Sequence, residues 1–225
     1  MTMKYWSMDI KVDEHTAIVF DLDDTLYNEI EYLKSAYACI ARHLEPENWE
    51  PLYILMFSLF RSKQDVFEML SAKFGTDKTA LIEMYRGHDP IIRPLEGVPR
   101  VLRDIRAKKG KVGIITDGRR NTQMNKIKAL GIADMIDKVV ISEDIGTEKP
   151  NEKNYTALQE AFNVNVYYYI ADNLKKDFIA PRKLGWQTVG IADNGLHIHH
   201  ENYRYLDDDH RPGQFIRSFT ELNIR

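Results

Sequence analysis

Six polar side chains stand just past apolar runs of strand type: Asp21 and Asp23, Thr116 and Asp117, Asp172, and Lys149 after a short loop. In an open parallel sheet, ligands bind outside the carboxyl ends of the strands, so these groups can converge on one edge. Together they permit a specific chemistry. Of two carboxylates separated by one residue, one can attack phosphorus while the other protonates the leaving oxygen and then activates water. A phosphoryl group is too anionic for acids to face alone. A divalent cation held by oxygen ligands offsets the repulsion, and magnesium favours one or two carboxylates together with water and phosphate oxygens. Lys149 adds a positive point charge, and the Thr116 hydroxyl with nearby backbone N–H groups can bond phosphate oxygens.

The elements that would position these groups follow from hydrophobic patterning. Thr16 to Phe20 is a short apolar run ending in acids, which suits a strand buried on both faces. Similar runs recur at Val112 to Ile115, Val139 to Ile141, Val166 to Ile170 and Thr188 to Ile191. Helical patterns lie between them at Val98 to Lys108, Thr122 to Leu130, Glu152 to Phe162 and Lys175 to Leu184. This alternation predicts an α/β fold, a parallel sheet with helices on both faces. Residues 28–94 break it with four amphipathic stretches, Ile30 to Leu44, Leu52 to Arg61, Gln64 to Phe74 and Lys78 to Arg86, punctuated by Pro46, Pro51 and Gly75. They read as an all-helical module inserted after the first strand, between core segments 1–27 and 95–225.

The stretch Asp21-Leu22-Asp23-Asp24-Thr25-Leu26, Thr116 after an apolar strand, Lys149-Pro150, and Asp172 with Asp177 resemble the four ordered motifs of the haloacid dehalogenase-like hydrolase superfamily. The resemblance runs from about Ala17 to Ile191 and implies a Rossmann-like three-layer αβα core. It also implies that Asp21 is the nucleophile and Asp23 the general acid/base. Thr116, Lys149 and the Asp117 N–H would hold the phosphoryl group. Asp21, the Asp23 carbonyl and Asp172 would bind Mg2+, and Asp177 would orient a metal-bound water or Lys149. Asp24 and Thr25 would fix the turn. Where family members commonly carry Gly or Asn, this chain reads Thr116-Asp117-Gly118 and Ala171-Asp172-Asn173, which keeps the essential groups. Asp21 and Thr116 are 95 positions apart and Thr116 and Lys149 only 33, so the chain resembles the subgroup with a helical cap after the first motif. Such a cap would exclude water and contribute substrate contacts.

The expected activity is phosphomonoester hydrolysis of a small phosphorylated metabolite, of the sugar phosphate or nucleotide class, through an aspartyl-phosphate. A phosphomutase shares every motif. A 2-haloacid dehalogenase would lack the second acid, so Asp23 argues against it. A receiver-like phosphoacceptor domain would place its aspartate on a later strand and has no helical insert. Tyr27, Asn28 and Glu29 begin the loop after the first motif. They and Arg61, Lys63, Arg86, His88 and Arg93 read as solvated surface and are not assigned to the site.

Bulk properties narrow the partners. The 225 residues carry a formal net charge of -3, so no basic field favours nucleic acid or an anionic membrane. Met1 to Glu14 has no signal-peptide core, and Leu52 to Phe60 is too short to span a bilayer, so a cytoplasmic protein is expected. The single cysteine, Cys39, fits a reducing compartment and is expected as a buried structural thiol. The polar stretch Asp193 to Gly213, with His197, His199 and His200, is expected to be solvated surface, since no spaced acidic or cysteine partner supports a histidine metal site. Ser218 followed by Glu221 matches a capping box at the start of a last helix.

Overall fold

The computed structural model describes residues 7–225. In chain order, strands β1 (Met8–Ile10) and β2 (Thr16–Phe20) come first. Helices α1 (Glu29–Leu44), α2 (Trp49–Arg61), α3 (Val66–Phe74) and α4 (Lys78–Gly87) follow. The remainder alternates: α5 (Val98–Ala107), β3 (Lys111–Thr116), α6 (Arg120–Ala129), β4 (Lys138–Ile141), α7 (Ser142–Ile145), α8 (Glu152–Phe162), β5 (Val166–Ala171), α9 (Ile179–Lys183), β6 (Gln187–Ile191), β7 (Gln214–Ile216) and β8 (Leu222–Ile224). Ile30–Ile92 forms one compact unit and the remaining described residues the other.

In the α/β unit, six strands lie in the order β4-β3-β2-β5-β6-β7, every pairing parallel. All five residues of β2 are buried, as a strand covered on both faces requires. One face carries Ala17, Val19, Tyr167 and Tyr169, packed with Tyr155 and Leu158 of α8, Ala180 of α9, and Trp186. There α8 lies so close to β3 that a Cβ at Gly113 would sit 3.0 Å from the Leu158 side chain. Phe20 points to the opposite face, its ring 6.0 Å from that of Phe219. The 3-10 turn Phe219–Glu221 packs against α5, which also contacts β3. Three layers result. From β2 the chain passes to β3 and β4 on one side, then crosses to β5 on the other, so the ends of β2 face a topological switch point.

Several elements differ from the sequence expectation. The helix expected over Lys175 to Leu184 shrinks to α9, because the preceding residues are held in a turn on Asn173. The Lys175 N–H donates to Asn173 Oδ1 (3.1 Å), a side-chain bond that competes with a helix, and the Asp177 N–H closes a single turn on the Asn173 carbonyl (3.0 Å). No helix follows Ser218. Its hydroxyl accepts from the Thr220 N–H rather than from Glu221, and Glu221 instead binds Arg217. The chain makes one 3-10 turn and continues as β8, which pairs in parallel with β1. Phe215 and Ile216 belong to edge strand β7.

The helical unit contains α2 to α4 and all but the first residue of α1. Asp65 and Asp77 cap α3 and α4 by accepting from the Glu68 and Ala80 N–H groups. Gly75 ends α3 in the left-handed conformation. Pro51 falls in the first turn of α2, where a missing N–H is tolerated. Cys39 is exposed, contrary to expectation, because it lies one residue off the stripe formed by Ala36, Tyr37, Ile40 and Ala41. His88 is buried rather than solvated, its Nδ1 2.8 Å from the Tyr85 carbonyl and Nε2 3.1 Å from Ser35 Oγ. No helix among the described residues is long and apolar enough to cross a membrane.

Candidate active site

Beyond β2 the Asp21 N–H donates to the Ile170 carbonyl (3.0 Å), which extends the β2–β5 ladder one step and fixes where its carboxylate starts. The chain then turns through Asp24, a left-handed residue at φ 54°. Asp24 is pinned from two sides, accepting from the Glu29 N–H (2.8 Å) and the Ile198 N–H (2.7 Å). Thr25 Oγ1 donates to Asp172 Oδ1 (3.1 Å), tying the turn to the end of β5. These bonds make Asp24 and Thr25 the frame of the turn.

A cleft at the carboxyl ends of β2, β3 and β5 is lined by Asp21, Asp23, Glu29, Thr116, Asp117, Asp172, Asn173, Lys176 and His199. Lys149 lies behind it, fully buried, with its Nζ 2.6 Å from Asp21 Oδ1 and 2.7 Å from Asp177 Oδ1. The Asp177 carboxylate also accepts from the Tyr169 hydroxyl and, through Oδ2, from the Asn173 N–H. Burial alone would lower the Lys149 pKa, but Asp177 and Asp21 outweigh it and hold the ammonium charged. Asp117 Oδ1 accepts from the Lys149 N–H (3.1 Å), and Oδ2 pairs with Lys176 Nζ at 2.8 Å.

The centre is short of positive charge. Carboxylate oxygens of Asp21, Asp172 and Asp177 lie within 4.8 Å of one another. Burial pushes Asp21 up to about 7, despite Lys149, and Asp172 is raised well above the carboxylate range by burial and by Asp21. Glu29 is pushed up to about 8 by burial and then by Asp23. Asp172 Oδ2 is buried with no hydrogen-bond donor among the described residues, and both oxygens of Asp177 are engaged. An undonated oxygen in a set of hard oxygen ligands suits a divalent cation such as Mg2+, so the residues fit that group.

Asp23 is held differently. Its Oδ1 pairs with Lys126 Nζ at 2.7 Å and accepts from the Tyr27 hydroxyl, and its Oδ2 accepts from Gln123 Nε2 at 3.0 Å. Burial would raise its pKa, but Lys126 and these donors outweigh it and hold the carboxyl below the usual range. Gln123 Nε2 also donates to Thr116 Oγ1 (2.7 Å).

The polar stretch after β6 is not plain surface. His197 is buried with Nδ1 3.6 Å from Asp172 Oδ2, and Asn202 Nδ2 donates to the Asp172 carbonyl. His199 reaches the cleft. The acid beside His197, Asp172, stands just past β5, 25 residues earlier in the chain, so local spacing could not show it. Gln123 and Lys126 also escape the motif spacing. Their signal would have been two polar residues three apart on one helix face, next to the apolar Ile127.

Comparison with known proteins agrees with the fold. A family model described as haloacid dehalogenase-like hydrolase matches residues 18–191. The glyceraldehyde 3-phosphate phosphatase of Methanocaldococcus jannaschii is 26% identical over 221 residues, which cover 91% of this chain and 94% of that protein. The glyceraldehyde 3-phosphate phosphatase of Methanopyrus kandleri is 30% identical over 199 residues, covering 78% and 83%. The crystal structure of a HAD phosphatase from Thermococcus onnurineus matches with a TM-score of 0.58 at 20% identity, over 92% of this chain and 95% of that one, a likeness of fold. With a matched model spanning most of its length and a parallel sheet carrying its acids at the switch point, this chain belongs to the haloacid dehalogenase-like hydrolase family.

Proposed function

We propose that the chain is a magnesium-dependent phosphomonoester hydrolase that forms an aspartyl-phosphate on Asp21. Its substrate would be a small phosphorylated metabolite of the sugar phosphate or nucleotide class. The observation that carries this reading is the single cleft lined by Asp21, Asp23, Thr116, Asp117 and Asp172, with Lys149 bonded to Asp21 behind it. That relatives covering most of the chain are named phosphatases supports it. The division into a catalytic core of residues 1–27 and 95–225 and a helical cap of residues 28–94 belongs to the same proposal.

Asp21 attacks phosphorus as the bond to the leaving oxygen breaks, and Asp23, which must first take up a proton because Lys126 holds it ionised in the free protein, delivers the proton that oxygen needs. In the second half, Asp23 takes a proton from water, which displaces the phosphoryl group from Asp21 and restores both acids. Thr116 already accepts from Gln123, so its hydroxyl hydrogen is available to a phosphoryl oxygen. Lys149 neutralises charge on Asp21 and the phosphoryl group, while Asp177 and Tyr169 hold its ammonium in place. The Asp117 N–H would be a further donor to the phosphoryl oxygens. Asp21, Asp172 and the Asp23 carbonyl would hold Mg2+. When bound, the ion offsets the repulsion between the carboxylates and the phosphoryl oxygens.

Release of inorganic phosphate from 4-nitrophenyl phosphate, with magnesium and with a chelator, tests the proposal. Turnover should need the metal and fall by at least about 1000-fold in Asp21→Asn, because an amide cannot act as the nucleophile. Near-native activity in Asp21→Asn would refute it.

A further inference from the structure

Helix α6 turns two polar side chains inward: Gln123 is 2% exposed and Lys126 4%. Glutamine and lysine are mostly exposed in folded proteins, and an apolar pair in their place would avoid the desolvation penalty. Both meet the same partner. Lys126 Nζ lies 2.7 Å from Asp23 Oδ1, and Gln123 Nε2 lies 3.0 Å from Asp23 Oδ2, so each carboxylate oxygen has its own donor from one helix. The Gln123 amide nitrogen is also 2.7 Å from Thr116 Oγ1 and 2.5 Å from the Asp117 carbonyl, so its two hydrogens are shared among the acid/base, the phosphoryl-binding hydroxyl and the backbone after β3. The loop before α6 leaves room for this amide. A Cβ at Gly118, whose φ is +130°, would lie 3.1 Å from Gln123 Nε2.

We propose that Gln123 and Lys126 are positioning residues for the hydrolysis: together they fix the plane and reach of the Asp23 carboxyl towards the leaving oxygen, and Gln123 also orients the Thr116 hydroxyl. This rests on the reading of Asp23 as general acid/base. A carboxyl on a short side chain can swing about two torsions, and donors on both oxygens, with the Tyr27 hydroxyl beside Lys126 on Oδ1, remove that freedom. Misplacement of a catalytic group by about 1 Å costs on the order of 100-fold in rate. The loss falls where Asp23 is needed most, on leaving groups that cannot depart without a proton.

The test is kcat/KM over a series of phosphate esters running from 4-nitrophenyl phosphate through phenyl phosphate to an alkyl phosphate. Lys126→Met and Gln123→Met should each lose only a few-fold on 4-nitrophenyl phosphate and about 100-fold on the alkyl ester, steepening the dependence on leaving group. Gln123→Met should also weaken inhibition by inorganic phosphate, through Thr116, whereas Lys126→Met should leave that constant within about twofold. A uniform loss across the series in both variants, with Asp23→Asn steepening it, would overturn the proposal and leave the two residues structural. A flat response in Asp23→Asn itself would instead overturn the acid/base reading on which the proposal depends. The two variants report separately, so failure of one to fold leaves the other to decide.

Discussion

Asp21→Asn should stabilise the metal-free protein increasingly as pH rises. Burial lifts the Asp21 carboxyl from its usual 3.8 to about 7. A folded-state pKa above the unfolded one favours the fold at low pH, and that advantage is lost as pH climbs through the folded value. The gap of about 3 units corresponds to about 4 kcal/mol at about 1.4 kcal/mol per unit, lost progressively between about pH 4 and pH 7. About 3 kcal/mol of it falls between pH 5 and pH 8, a range that avoids acid unfolding. An asparagine cannot ionise and escapes this loss. The substitution also removes the bond to Lys149, but Asp177 keeps that ammonium charged across the window, so the deletion adds an offset without slope. Urea unfolding of both proteins with a chelator at pH 5, 6, 7 and 8 reads the difference directly. It should grow by about 3 kcal/mol, equivalent to a Tm difference widening by roughly 6–12 °C in a chain of this length. Magnesium should narrow it, because the ion favours the ionised carboxylate. A difference that stays constant from pH 5 to pH 8 would refute the reasoning.

Lys149→Met should leave Asp21 and Asp177 buried without their shared cation and cost about 3–5 kcal/mol in urea unfolding at pH 8. The cost should shrink at pH 5, where Asp21 takes up a proton, and a loss below about 1 kcal/mol at pH 8 would contradict the ion-pair geometry. Asp172→Asn should weaken magnesium binding at least about tenfold by isothermal titration calorimetry, the loss typical even of an outer partner. Unchanged affinity would remove Asp172 from the metal site.

Legibility in the sequence divided along physical lines. Runs such as Thr16–Phe20 are readable because a strand buried on both faces has no polar alternation to blur it. The acids after those runs are readable for a related reason, since each sits one or a few residues past a strand end. Three-residue strands such as β1, β7 and β8 are too short for any period. Gln-Phe-Ile gains its meaning from β6 beside it, and Leu-Asn-Ile from β1 at the far end of the chain. At the site, Tyr27, Gln123, Lys126 and His197 were hidden because their roles come from partners in other elements. Tyr27 looks like the start of a loop until its hydroxyl meets Asp23. Pairing between distant segments is a tertiary property, and a polar residue on an amphipathic helix looks solvated until its neighbour is known.

The placement of β2 at the middle of the sheet has a consequence for how the protein breathes. The Asp21 amide is bonded to β5 at the end of a strand whose neighbours on both sides are themselves paired. Amides along Thr16–Asp21 should therefore exchange with solvent deuterium only on global unfolding. Those of edge strand β7 and of the stretch between β6 and β7, which supplies His197 and His199, should exchange through local openings. The Asp21 carboxylate would then keep a fixed address while part of its surrounding wall opens and closes far more often than the molecule unfolds.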